Sequence, residues 1–170
     1  MSENIWKKIK IYNFADDLKS ICINILGLTE RQCYGTEEEK SSLTNIDMPN
    51  TLAEKKSSFR KMTARELMQY VGTDFFRAIY PNVWVDSTIR KIQREKPSLA
   101  VVVDCRFPNE VEAINKAGGK VIRLERNIHK DNHDSETALD VDNYNHANFW
   151  HVLDNKDMTI GDTIVKIKNN

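Results

Sequence analysis

The sequence lacks an excess of charge of either sign, and it lacks a long apolar run. Its 170 residues carry 25 Lys and Arg against 25 Asp and Glu. This balance argues against a protein that coats DNA or RNA, which would usually be basic. No apolar run approaches the length that crosses a bilayer, and the charged segment 1–10 has no signal-peptide pattern. We therefore expect neither a membrane nor a nucleic acid as partner.

Cysteine is also scarce. Cys22, Cys33 and Cys105 have no metal-ligand spacing, and their number is odd. This usage is typical of reduced, buried thiols in a cytoplasmic protein. The length and the 40% hydrophobic content predict a single domain over residues 1–170 with a sizeable core.

A strand–helix–strand pattern over residues 99–126 organises the rest of the chain. The β-branched run 100–103 predicts a strand buried on both faces. A helix with apolar residues at helical spacing follows and ends at Gly118 and Gly119. Residues 121–124 predict the second strand of a right-handed βαβ unit.

Ligands of open α/β sheets bind at the carboxyl ends of the strands. Asp104 and Arg106 follow the first of these strands, and Arg126 follows the second. An acid between two arginines suits a phosphorylated ligand that also carries hydroxyl or base groups.

The remaining pattern predicts further elements around this unit. We expect strands at 7–14 and 149–153, and helices at 16–26, 30–33, 62–80, 83–96 and 159–167. Asp16 or Asp17 is expected to cap the first helix, Thr29 the second, and Thr63 with Glu66 forms a capping box for the third.

Two polar segments show no clear period. Residues 36–61 are expected to form a mobile insert, or a lid that closes over ligand. Residues 127–148 are expected to form a polar loop, in which His129 and His133 invite a metal hypothesis. No third fixed ligand accompanies these histidines, so no metal site is assigned.

Two local features have a structural and a functional interpretation. The break Gly72–Thr73–Asp74 is either a helix–helix corner or a group of N–H donors for an anion, which Arg77 could join. Trp84 either packs in the core or stacks on a base.

Seven segments together resemble the deoxynucleoside monophosphate kinases of tailed bacteriophages, which have the P-loop kinase fold. They occur in family order over nearly the whole chain: FADDLK (14–19), LTERQCYGTEEEK (28–40), MTARELMQYVGTDFFR (62–77), NVWVD (82–86), DCRFPNE (104–110), GGKVIRLER (118–126) and SETALD (135–140). The resemblance implies an α/β fold of three layers, with a mainly parallel sheet of about four strands between helices. It also implies the host cytoplasm as location if a phage encodes the chain.

The resemblance further implies a nucleotide-binding site. Lys19, Arg65 and Arg106 would hold the phosphate, Trp84 would contact the nucleoside, and Asp104 and Glu110 would accept hydrogen bonds from sugar or base. The full predicted set is Leu18, Lys19, Arg65, Gly72, Thr73, Arg77, Trp84, Asp104, Arg106, Phe107, Glu110 and Arg126.

The sequence departs from the family at its phosphate loop. None of its six glycines belongs to a GxxxxGK[ST] motif. The backbone donors, the lysine and the magnesium-binding hydroxyl of that loop are absent from these residues, and the first central strand is expected to be absent too. We expect the strands ending at Asp104 and Arg126 to pair directly and give a four-stranded sheet, or a homodimer or higher homo-oligomer to cover the gap.

Three functions follow from this pattern. The first is a non-catalytic protein, with no catalytic residue, cofactor or metal, that binds or sequesters a deoxynucleoside monophosphate or a nucleotide-derived host immune signal. The second is a split or truncated deoxynucleoside monophosphate kinase, whose site for ATP and magnesium comes from another chain. The third is a protein-interaction role with a vestigial pocket.

Overall fold

The computed structural model describes residues 9–48, 60–125 and 137–169, and the chain divides into two compact units, Met1–Asp104 and Cys105–Asn170. A single domain over the whole chain stays a prediction. Within the described ranges, no helix combines the length and the apolar character that a membrane crossing requires.

The first unit surrounds its strands with helices. Its elements are β1 (Ile9–Tyr12), α1 (Asp16–Asn24), α2 (Glu30–Tyr34), α3 (Glu37–Lys40), β2 (Leu43–Asp47), β3 (Lys61–Thr63), α4 (Ala64–Gln69), a π-helix (Tyr70–Arg77), α5 (Val83–Glu95) and β4 (Leu99–Val102). Its core contains Cys22, Leu28, Cys33, Met62, Ala64 and Leu67. The buried positions of Cys22 and Cys33 agree with their prediction as core residues.

The second unit contains α6 (Pro108–Lys116), β5 (Ile122–Glu125), a 3-10 turn (His146–Asn148), β6 (His151–Asp154) and α7 (Ile160–Lys168). Val111, Val121, Leu139 and Phe149 form its core. Gly118 has a φ of 81° just after α6, as expected of a glycine that ends a helix.

Four strands pair in parallel, which confirms the α/β class with short parallel sheets between helices. β1 pairs with β4 from Ile9↔Leu99 to Tyr12↔Val102. β5 pairs with β6 from Ile122↔His151 to Glu125↔Asp154. The described sheets have two strands each, and the expected direct pairing of β4 with β5, which belong to different units, stays a prediction.

The burial of β4 also differs from expectation. Leu99 is 52% exposed and Val101 is 36% exposed, although an apolar β-branched run predicts burial on both faces. β4 has one paired neighbour in the described sheets, so its side chains have fewer partners than those of a central strand.

Part of the segment predicted to be irregular is ordered. Residues 37–47 form α3 and β2, and β2 pairs antiparallel with β3. The hydroxyl of Thr44 in β2 donates to the carbonyl of Met62 in β3 at 2.9 Å and links the two strands further. Residues 49–59 lie outside the described ranges, and closure of the segment over a ligand stays a prediction.

Helices begin at the predicted cap where the sequence has a Thr-x-x-Glu or Thr-x-x-Gln pattern. The cap at Thr29, which forms a capping box with Gln32, and the capping box at Thr63 are confirmed. The expected cap of α1 is wrong, since its N-cap is Ala15, and Asp16 instead accepts from Asn13. The expected break at residues 72–74 is also wrong, because the helix continues through them with wide π turns.

Candidate functional site

Three cations of the first unit form the candidate site, and we call Lys19, Lys40 and Arg65 the cation cluster. Lys19 lies in α1, Lys40 is the last residue of α3, and Arg65 lies in the first turn of α4. Two interactions relate the three residues, a repulsion between two lysines and a carboxylate that bridges two of the cations. Lys40 is near enough to Lys19 for its charge to lower the pKa of Lys19, and Glu37 bridges Lys40 and Arg65.

Lys19 has the most unusual surroundings of the three. Its ammonium lies 4.1 Å from the centroid of the Tyr34 ring, over the ring face. Burial lowers its pKa first and the charge of Lys40 lowers it further, while Asp16 and Asp104 act in the opposite direction. In the part of the chain that the structure describes, no carboxylate forms an ion pair with Lys19. A partly desolvated ammonium in this position gains from a bound anion.

The corner between α2 and α3 positions Tyr34 below Lys19 and Glu37 beside the other two cations. Thr36 and Glu39 form a capping box that starts α3. Gly35 fits this corner because a Cβ there would lie 2.4 Å from the carbonyl oxygen of Arg31. The corner thus requires a residue without a side chain.

Asp104 has a structural role where β1 and β4 end. Its two carboxylate oxygens accept the backbone N–H of Phe14 at 2.8 Å and of Ala15 at 3.2 Å. These residues connect β1 to α1, which carries Lys19. Asp104 therefore fixes the start of that helix relative to the strands, and its role toward sugar or base stays a prediction.

Gly72 contacts two other predicted site residues in the first unit, Leu18 and Trp84. A Cβ on Gly72 would lie 2.6 Å from Leu18 Cδ2, so the absence of a side chain allows α1 to approach the π-helix. The indole N–H of Trp84 donates to the carbonyl of Gly72 at 3.0 Å, and Trp84 is 5% exposed. The core interpretation of Trp84 accounts for this geometry, and a contact with a nucleoside stays a prediction. Thr73 is exposed and Arg77 is half-buried in the same helix.

The other predicted site residues belong to the second unit. Glu110 is 2% exposed and accepts the backbone N–H of Arg106 at 2.7 Å and of Phe107 at 3.1 Å. This carboxylate therefore begins α6 in the manner of a capping box. Arg126 lies outside the described ranges. Ligand binding by these four residues stays a prediction.

Sequence reasoning missed Lys40, Tyr34 and Glu37. All three lie in the segment 28–40 that resembles the kinase family, which was the available signal. Lys40 closes an acidic run and resembles an ordinary exposed charge, and only the fold brings it near Lys19.

No group of three or more His, Cys, Asp or Glu suited to a metal occurs within ranges 9–48, 60–125 and 137–169. His129 and His133 lie outside those ranges.

An α/β chain in which one cation of a cluster lies near the acid that follows a parallel strand has features that are typical of proteins with phosphorylated ligands. Comparison with known proteins gives the family. The family model "Deoxynucleotide monophosphate kinase" matches residues 7–158, and the chain belongs to this family.

Two relatives are viral proteins. A protein of Acanthamoeba polyphaga mimivirus named "Putative deoxynucleotide monophosphate kinase" is 30% identical over 141 residues, which are 75% of this chain and 67% of the relative. The "Deoxynucleoside-5'-monophosphate kinase" of Escherichia phage T5 is 32% identical over 56 residues, which are 32% of this chain and 22% of that enzyme. The chain thus matches part of each relative.

Proposed function

We propose that this chain binds a nucleotide and holds its phosphate at the cation cluster of the first unit. The single observation that carries the proposal is Lys19, a half-buried ammonium over an aromatic ring, without a carboxylate partner in the described structure and with Lys40 nearby. Like charges are brought together at a cost, and a bound dianion would offset it. Family membership supports a deoxynucleoside monophosphate as ligand.

We further propose that these 170 residues alone bind without transferring a phosphoryl group. They contain no GxxxxGK[ST] motif, whose backbone N–H groups, lysine and hydroxyl would hold the triphosphate and magnesium. Phosphoryl transfer depends on positioning and charge stabilisation, so a chain without these groups would lose most of the rate. Sequestration of a monophosphate or of a nucleotide-derived immune signal is the corresponding biological role.

A kinase whose ATP site comes from another segment or chain is the second candidate. The names of both viral relatives favour it. Under this function, ATP and magnesium become cosubstrate and cofactor. A homo-oligomer, which would cover open strand edges, is compatible with either function and is tested by light scattering.

Isothermal titration of the four deoxynucleoside monophosphates into wild type and Lys19→Gln tests the binding proposal. We expect Lys19→Gln to weaken binding about 10- to 100-fold, the range for a lost charge-assisted hydrogen bond. Lys120→Gln is the matched control, since Lys120 also lies over an aromatic ring, that of Trp150 at 4.4 Å, but in the second unit. Equal affinity of Lys19→Gln and wild type would contradict the proposal.

Two further readouts separate binding from folding and from catalysis. Because burial lowers the pKa of Lys19, its charged form is disfavoured by folding, so Lys19→Gln should not lower the unfolding temperature. ADP release from ATP and magnesium in the presence of a monophosphate reports kinase activity. Turnover by the purified 170-residue chain would make the kinase the better description.

A further inference from the structure

The side chain of Glu37 lies between two residues of the cation cluster, Lys40 and Arg65. One carboxylate oxygen, Oε1, lies 3.5 Å from Lys40 Nζ, and the other, Oε2, contacts Arg65 Nη2. A carboxylate that bridges two cations presents two acceptor oxygens to them, as a phosphate group can.

We propose that Glu37 occupies the phosphate position in the unliganded protein and has to leave it when a phosphorylated ligand binds. This inference rests on the proposed function and deepens it, since it makes Lys40 a phosphate-binding residue and Glu37 an internal competitor. The side chain of Glu37 is 78% exposed, so it can rotate into solvent without disturbing packed neighbours.

The local structure does not require Glu37 for folding. The capping box of α3 uses Thr36 and Glu39. The core of the unit does not include residue 37. The ion pairs of Glu37 are exposed, and exposed pairs contribute little to stability because water and salt screen them. A role in occupying the anion site accounts for a carboxylate held by two cations on an otherwise solvated turn.

The test compares Glu37→Gln with Glu38→Gln, whose side chain is exposed, belongs to the same first turn and forms no ion pair with either cation in the described structure. Both changes remove one negative charge from the same short helix. Titration of each with the four deoxynucleoside monophosphates should show binding about three- to tenfold tighter for Glu37→Gln than for wild type. Glu38→Gln should differ from wild type by less than about twofold, as a distant charge does in salt.

The outcomes distinguish the inference from the function on which it rests. If wild type binds and Lys19→Gln weakens binding, but Glu37→Gln equals Glu38→Gln, the inference fails and the proposed function stands. Weaker binding by Glu37→Gln would also overturn the inference, since Glu37 would then assist the ligand. If neither wild type nor Glu37→Gln binds any of the four monophosphates, the proposed function fails and takes the inference with it.

Discussion

Asp104 offers a direct test of how the first unit holds its site. Its carboxylate accepts two backbone N–H groups, of Phe14 and Ala15, at the turn between β1 and α1. Asp104→Asn keeps one acceptor oxygen and turns an NH2 group toward the other N–H. One charge-assisted bond is lost, and two donors face each other.

The expected cost follows from the geometry. A hydrogen bond to a charged group contributes about 1.5–3 kcal/mol, so Asp104→Asn should lower the free energy of unfolding by about 2 kcal/mol. Asp104→Ala loses both bonds and should cost about 3 kcal/mol, at the lower end of the summed range because the site is only half-buried.

Urea unfolding followed by circular dichroism measures the loss, and hydrogen exchange of the Phe14 and Ala15 amides localises it. Asp157→Asn is the control, since Asp157 is exposed in the turn after β6. Stability of Asp104→Asn within about 0.5 kcal/mol of wild type, the range of ordinary surface changes, would refute the reasoning. Unchanged exchange of the two amides would refute it independently.

Three further changes test the packing and the helix ends. Glu66 has a pKa of about 2, lowered first by an arginine hydrogen bond and then by the capping N–H. The contribution of the ionised carboxylate to the free energy of unfolding is full above pH 4.5 and is lost as the pH falls toward 2. Glu66→Gln should therefore cost about 1 kcal/mol at pH 7 after solvent screening. The variant should also lose less stability than wild type when the pH is lowered from 4.5 to 2. Gly72→Ala should cost about 1–3 kcal/mol by overpacking against Leu18, and Leu18→Ala in that background should cost less than in wild type, as thermal unfolding of the double-mutant cycle measures. Burial and the hydrogen bond to Glu95 raise the pKa of Tyr12 to about 12, so ultraviolet titration should detect this late ionisation, and Tyr12→Phe should remove it while costing about 1 kcal/mol at neutral pH.

Local patterns in the sequence predicted most helices because their signals involve residues three or four apart. Thr29 and Thr63 each cap a helix with a partner three residues later, and both boxes form. The cap of α1 was wrong because Asp16 has a competing partner in Asn13, which a capping pattern does not include.

The environment of β4 could not be predicted in the same way. An apolar run reports what a strand can bury, whereas its actual burial depends on which strands pair with it. β4 pairs with β1 and β5 pairs with β6, and the order of the strands in the sequence does not indicate either pairing although the strands themselves were predicted. The resemblance to a family supplied Lys19 and Arg65, but the proximity of Lys40 to Lys19 in the fold was needed to add Lys40.

Substitution of Asp104 or Glu110 cannot show whether that residue contacts a ligand. The family resemblance assigns both carboxylates to sugar or base. Asp104 and Glu110 each accept two backbone N–H groups. A carboxylate has about four acceptor positions, so either residue could accept from a ligand as well. A variant of Asp104 or Glu110 would nevertheless lose binding if the substitution only displaced the first turn of the helix that the carboxylate holds. Among the described residues, the side chain of Lys19 has no such backbone partner, and its removal relieves a desolvated charge. A loss of affinity in Lys19→Gln, with stability equal to or above that of wild type, therefore assigns the ligand contact where the carboxylates cannot.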